Sequence, residues 1–193
     1  MNSDVAAVME ELDAHRARFE AFCRSLTAEQ LVRAVPRSSW IVKDFISHLA
    51  TIDTPVADMF RSFGTPGAAG FGSGRGKGWD VDSWNEQQVQ ERRSWSVEQI
   101  LAGAAVERAA LREALGALTT ENIESNLKFG GDSKRAATEF PLKAYIRGWN
   151  KHDPMHVVDM LRGLPELASP ELDAWLDDPA IQGYQAAMNP AEA

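Results

Sequence analysis

Apolar residues recur along this chain at three- and four-residue spacing in four long stretches, and nowhere alternate as half-buried strands do. In the first stretch, about Asn2 to Leu26, the stripe is Val5, Val8, Leu12, Phe19, Phe22, Cys23 and Leu26, with His15 beside it. Thr27-Ala28-Glu29-Gln30 then predicts a capping box and a short helix through Val32, ended before Pro36. The second stretch starts near Trp40 and carries Ile41, Phe45, His48, Leu49, Ile52, Val56, Met59, Phe60 and Phe63. Pro55 lies inside it and predicts a kink, or a break with Thr54 capping a new start. Ser96-Val97-Glu98-Gln99 is a second capping box, opening a third helix that runs to about Thr119. The fourth opens at Pro141 with the stripe Leu142, Tyr145, Ile146, Trp149, His152, His156, Val157, Met160, Leu161 and Leu164. Gly163 and Pro165 mark its end.

Four amphipathic helices without an internal repeat predict an all-α fold, a four-helix bundle with long crossover connections. Residues 1–168 form the bundle, and 169–193 an acidic tail with one short helix signalled by Ser169-Pro170-Glu171. Residues 64–78 hold seven of the chain's 14 glycines and read as a connecting loop. Arg75 and Lys77 do not make it a phosphate cradle, because Gly78 stands where a Walker loop needs Ser or Thr. Asp80-Val81-Asp82 with Glu91 fails as a calcium loop, since Asn85 occupies the obligatory glycine position. Asn126 to Phe129 is a candidate extended piece.

Composition narrows the function. The 193 residues carry 20 Lys+Arg against 28 Asp+Glu, a net charge of −8, which disfavours broad binding to nucleic acid or anionic membranes. The single cysteine, Cys23, forms no internal disulfide, and neither a membrane span nor a signal peptide is visible, so the expectation is a cytoplasmic protein.

Histidines carry the chemistry. His48, His152 and His156 sit where the helix period asks for apolar side chains, and His152 and His156 are four residues apart. A buried imidazole needs a partner, since an unsatisfied polar group costs about 1–3 kcal/mol. Two readings stay open from the residues alone. Each imidazole is satisfied by a carbonyl in the core, or the three share a cation of the zinc, nickel, iron or copper type with coordination positions to spare. Pro154, between the two histidines, strains the helix and blurs their facing.

The segments Trp40-Ile41-Val42-Lys43-Asp44-Phe45-Ile46-Ser47-His48-Leu49, Asp82-Ser83-Trp84-Asn85 with Arg92/Arg93, and Tyr145 through His156 together resemble the DinB/YfiT-like superfamily of metal-dependent four-helix-bundle proteins. The match covers about residues 5–164 and is similar to members related to mycothiol-dependent maleylpyruvate isomerase and to colibactin self-resistance proteins, some of which also carry the proline. The resemblance implies that His48, His152 and His156 ligate a divalent metal, zinc or nickel, used with water or a low-molecular-weight thiol such as mycothiol. It implies a small-molecule enzyme, a thiol S-transferase, isomerase or hydrolase attacking an electrophile, and a homodimer. Ile41 departs from the pattern, which often has a capping Ser or Thr there, and no second domain of the isomerase kind is seen. A non-catalytic stress protein that sequesters a small molecule is the alternative, and an interaction protein with vestigial histidines a third.

Around the site, Asp44 is a candidate acceptor for the His48 ring or a first-turn acid favoured by the helix dipole. Tyr145 and Trp149 are candidate pocket walls or core residues. Arg108 and Arg147 are candidates to meet an anionic substrate but read better as solvated charges. Cys23 lies on an apolar stripe and is not expected to be the thiol. No catalytic residue beyond the ligands can be assigned.

Overall fold

A computed structural model describes residues 3–63, 79–130 and 136–188. The glycine-rich segment 64–78 lies outside the described residues. Four bundle columns follow the four apolar stripes. The first is α1 (Ser3–Ser25). The capping box at Thr27 and Gln30 then opens α2 (Ala28–Leu31). The second column is α3 (Val42–Thr51) followed by α4 (Asp53–Ser62). α5 (Val81–Glu91), which the periodicity did not predict, precedes the third column, α6 (Val97–Gly116). After α7 (Thr120–Ile123), the extended piece appears as β1 (Asn126–Phe129), antiparallel to β2 (Thr138–Pro141). The fourth column is α8 (Leu142–Trp149) and α9 (His152–Arg162).

Both prolines sit at the third residue of the second half of a divided column. Pro55 lies in the first turn of α4 and Pro154 in the first turn of α9, where a missing N–H removes no bond within that helix. The second column divides at Ile52, and Thr54 does not cap the new start: its hydroxyl donates to Glu107 at 2.6 Å. The fourth column divides at Asn150 and Lys151, so His152 is the first residue of a fresh helix and Pro154 leaves the facing of His152 and His156 intact.

The apolar interior falls into two clusters. One holds Phe19, Phe22, Phe45, Leu49, Ile100, Val157 and Met160, the other Val5, Leu12, Val56, Met59, Leu111, Leu142 and Ile146. Burying each such side chain is worth about 1.5–3 kcal/mol. A charged layer lies between them, one residue per column: Arg16, Asp53, Arg108 and Asp153, each at most 6% exposed. Arg108 Nε donates to Asp53 at 2.6 Å and its guanidinium reaches Asp153 at 3.3 Å. Arg16 donates to Asp153 at 3.0 Å and to the Leu49 carbonyl at 3.0 Å. Arg108 is therefore a buried ion-pair partner and not the solvated charge its sequence context suggested. A charged side chain enters the interior here because each cation meets carboxylates of other columns.

The segment after Ala168 carries two helices, α10 (Pro170–Leu176) and α11 (Pro179–Met188). Trp175 of α10 enters the first cluster and donates its indole N–H to His15 Nδ1 at 2.9 Å, while Ile181 of α11 is fully buried. His15 is accordingly a core-edge residue.

Candidate metal centre

His48 stands in the last turn of α3, and His152 and His156 occupy the first turn and a half of α9. The ring centroids are 5.4 Å apart for His48–His152, 4.9 Å for His48–His156 and 4.6 Å for His152–His156. One ligand atom from each lies within 4.8 Å of the others. The three histidines read from the sequence thus converge, from two columns, on one point.

Different surroundings hold each ring. His48 is 4% exposed, and burial pushes its pKa well below the ordinary value, with His156 adding to the shift. Burial does the same for His152, helped by its two histidine neighbours and by Arg108 and Arg16 of the charged layer. Both are therefore neutral near pH 7 and present lone pairs, the form in which imidazole ligates a cation. His156 is oriented by a carboxylate: its Nδ1 meets Asp159 Oδ2 at 2.8 Å, leaving Nε2 for the centre of the cluster. His152 is stacked on Trp149, with centroids 4.2 Å apart and planes 15° from parallel, and the next residue, Asp153, anchors it to the charged layer.

His48 Nδ1 is buried and closes no hydrogen bond of ordinary geometry. Its polar neighbour is Asn85 of α5, whose amide oxygen is also buried, lacks any other partner, and favours the protonated ring. Asn85 was given no role at the histidines by the sequence reading, which rejected residues 80–91 as a calcium loop and used Asp82-Ser83-Trp84-Asn85 only as part of the family resemblance. The available signal was Asp80, which caps α5 by accepting from the N–H groups of Asp82 and Ser83. Asp159 was missed as well, although it lies three residues after His156 on the same helix face.

Asp44, placed near His48 by the sequence, accepts from the Ile41 N–H at 3.1 Å and pairs with Arg93 at 3.8 Å. It closes the helix start at which Ile41 itself offers no capping side chain. Trp149 and Tyr145 stack in turn, with centroids 6.0 Å apart, and so extend an aromatic row away from His152. On the opposite side Trp40 packs its ring 5.2 Å from that of His48 and ties α3 to α5 through a 3.0 Å bond to Glu86. A groove of about 360 Å³ lined by Val5, Val8, Glu11, Ile146 and Lys151 includes none of the histidines.

Cys23 is 1% exposed, and burial raises its thiol pKa well above the ordinary value. It supplies no thiolate to the cluster. No helix among the described residues is long and apolar enough to cross a membrane.

Two solved structures are similar to this chain. They are mycothiol-dependent maleylpyruvate isomerase, at 8% identity, and a histidine-to-alanine mutant of it, at 7%. Each superposes with a TM-score of 0.61 over 83% of this chain and 63% of the other, so the chain spans less than two thirds of the enzyme's length. At such identity the likeness is one of fold. No curated protein matches the sequence. The sequence model of the DinB superfamily matches residues 6–160, a span that takes in all four columns and the three converging histidines. The chain belongs to the DinB superfamily.

Proposed function

We propose that this protein is a metal-dependent enzyme acting on a small electrophilic molecule, with His48, His152 and His156 as the ligands of one divalent cation. The observation that carries the reading is the meeting of three imidazoles from two columns within 4.8 Å, two of them held neutral by burial. A three-nitrogen set of this kind suits zinc or nickel and leaves coordination positions for exogenous molecules. When bound, such a cation lowers the pKa of a coordinated thiol or water and so supplies a strong nucleophile at neutral pH.

The chain's own residues do the rest. Asp159 meets Nδ1 of His156, which leaves Nε2 of that ring to ligate, and Asn85 is the polar neighbour of the buried His48 ring. Trp149 stacks on His152 with Tyr145 behind it, and Trp40 and Phe45 pack their rings 5.2 and 5.7 Å from those of His48 and His156. Because Cys23 is sealed in the core, the nucleophile comes from solution, as water or as a low-molecular-weight thiol. The mycothiol dependence of the structurally similar isomerase supports the thiol, with addition to or isomerisation of an electrophilic double bond as the matching reaction class.

The test is elemental analysis of tag-free protein, followed by a panel of thiols, mycothiol included, against electrophilic substrates. The expected result is a divalent transition metal in stoichiometric amount, with metal and turnover both lost in His152→Ala. Protein that carries no such metal and takes up none on dialysis against zinc or nickel overturns the reading.

A further inference from the structure

The C-terminal segment reaches the histidine cluster through one side chain. Tyr184 of α11 donates its hydroxyl to Asp159 Oδ2 at 2.6 Å, and the same oxygen faces His156 Nδ1 at 2.8 Å. Its ring meets the His156 ring edge-on, with centroids 6.0 Å apart. The other carboxylate oxygen, Oδ1, stands 2.9 Å from the Arg162 guanidinium. Two further ties hold α11 in place. Ile181 is fully buried, and Asp178, just before the helix, pairs at 3.1 Å with Lys151 from the break before α9.

We propose that Tyr184 is a positioning residue of the metal centre, acting through Asp159: its hydroxyl fixes the carboxylate orientation that holds His156 with Nδ1 turned away and Nε2 toward the cation. The inference rests on the metal reading above. An imidazole can present either nitrogen, and the hydrogen bond made by one decides which is left to ligate. A carboxylate torsion is broad, so Asp159 alone selects the His156 orientation weakly. With the Arg162 guanidinium paired beside one oxygen and both Tyr184 and His156 at hydrogen-bond distance from the other, the carboxylate is constrained at each of its oxygens. The hydroxyl–carboxylate bond is in the short, charge-assisted range. The helix α11 is thereby a component of the site, although it lies beyond the residues matched by the family.

The experiment is titration of full-length, tag-free, metal-stripped protein with cobalt(II) and zinc(II), following the visible bands of cobalt. Four variants are compared with wild type: Tyr184→Phe, Asp159→Asn, the double variant, and Ile181→Val as a packing control. Tyr184→Phe keeps the ring and is expected to weaken affinity about tenfold and shift the cobalt bands, with little change in the melting of the metal-free protein. The double variant is expected to bind no more weakly than Asp159→Asn alone, because the phenol acts only through that carboxylate. Ile181→Val is expected to leave the bands unchanged. Bands and affinity of Tyr184→Phe equal to wild type, additive losses in the double variant, or an equal shift from Ile181→Val would each overturn the proposal. Wild type that binds neither metal overturns the metal reading itself, a result seen before any variant is compared.

Discussion

Arg16 of α1 donates to Asp153 of α9 at 3.0 Å inside the bundle, one residue after His152. The pair belongs to a layer of two arginines and two aspartates in which each column contributes one charge. The layer links the core to the site, since Asp153 holds the turn from which His152 projects. Asp53 and Asp153 both lie at helix starts, where free N–H groups and the helix dipole favour a carboxylate.

Breaking one member of that layer strands its partner. Asp153→Asn leaves Arg16 and Arg108 with Asp53 as the only remaining carboxylate of the layer, and a loss of about 3–5 kcal/mol is expected in urea denaturation. Metal affinity is expected to fall in the same variant, because the first turn of α9 loses its anchor. A denaturation midpoint equal to wild type would remove the layer from any account of stability.

Metal-free protein is expected to lose stability in mild acid. His48 and His152 have folded pKa values well below the ordinary one, with burial the leading cause. The unfolded chain takes up protons at these sites below about pH 6.5 while the folded chain does not. The burial of these rings therefore carries no proton-linked penalty above that pH, and the penalty grows as the pH falls. Urea midpoints at pH 7.5 and 5.5 test this. The midpoint at 5.5 is expected to be lower, and the gap to shrink in His48→Asn/His152→Asn. Equal midpoints in the wild type would contradict it.

Cys23 is expected to be silent. In the native protein a thiol-modifying reagent such as Ellman's should not react, and reactivity should appear along the urea unfolding curve, since burial both shields the sulfur and keeps it protonated. Cys23→Ala is expected to keep its turnover in the thiol panel. Loss of turnover with metal content intact would show that the chain supplies its own nucleophile.

The sequence was legible where a local rule applied. The capping boxes at Thr27/Gln30 and Ser96/Gln99 form as their spacing predicts. Val5, Leu12, Phe19, Phe22, Cys23 and Leu26 are all buried, as a helix period requires. His48, His152 and His156 stood out because a polar ring interrupts an apolar stripe. Legibility failed where a side chain's partner lies far along the chain. Arg108 looks solvated until Asp53, 55 residues away, is placed beside it. Tyr184 has no meaning for His156 until α11 folds back over α9, and Asn85 has none until α5 packs on α3.

Periodicity and caps are properties of neighbours within a few residues, so the sequence by itself determined the four columns, the buried faces and the three histidines that point inward. It also carried the prolines, but not where the columns divide, because a proline tolerates either a kink or a helix start and the packing selects between them. Only the tertiary structure decided which charges meet in the interior layer, which carboxylate turns His156, and that the last helix reaches the centre. Those relationships join side chains from columns distant in the chain, and their energies depend on mutual burial, which arises only when the columns are assembled.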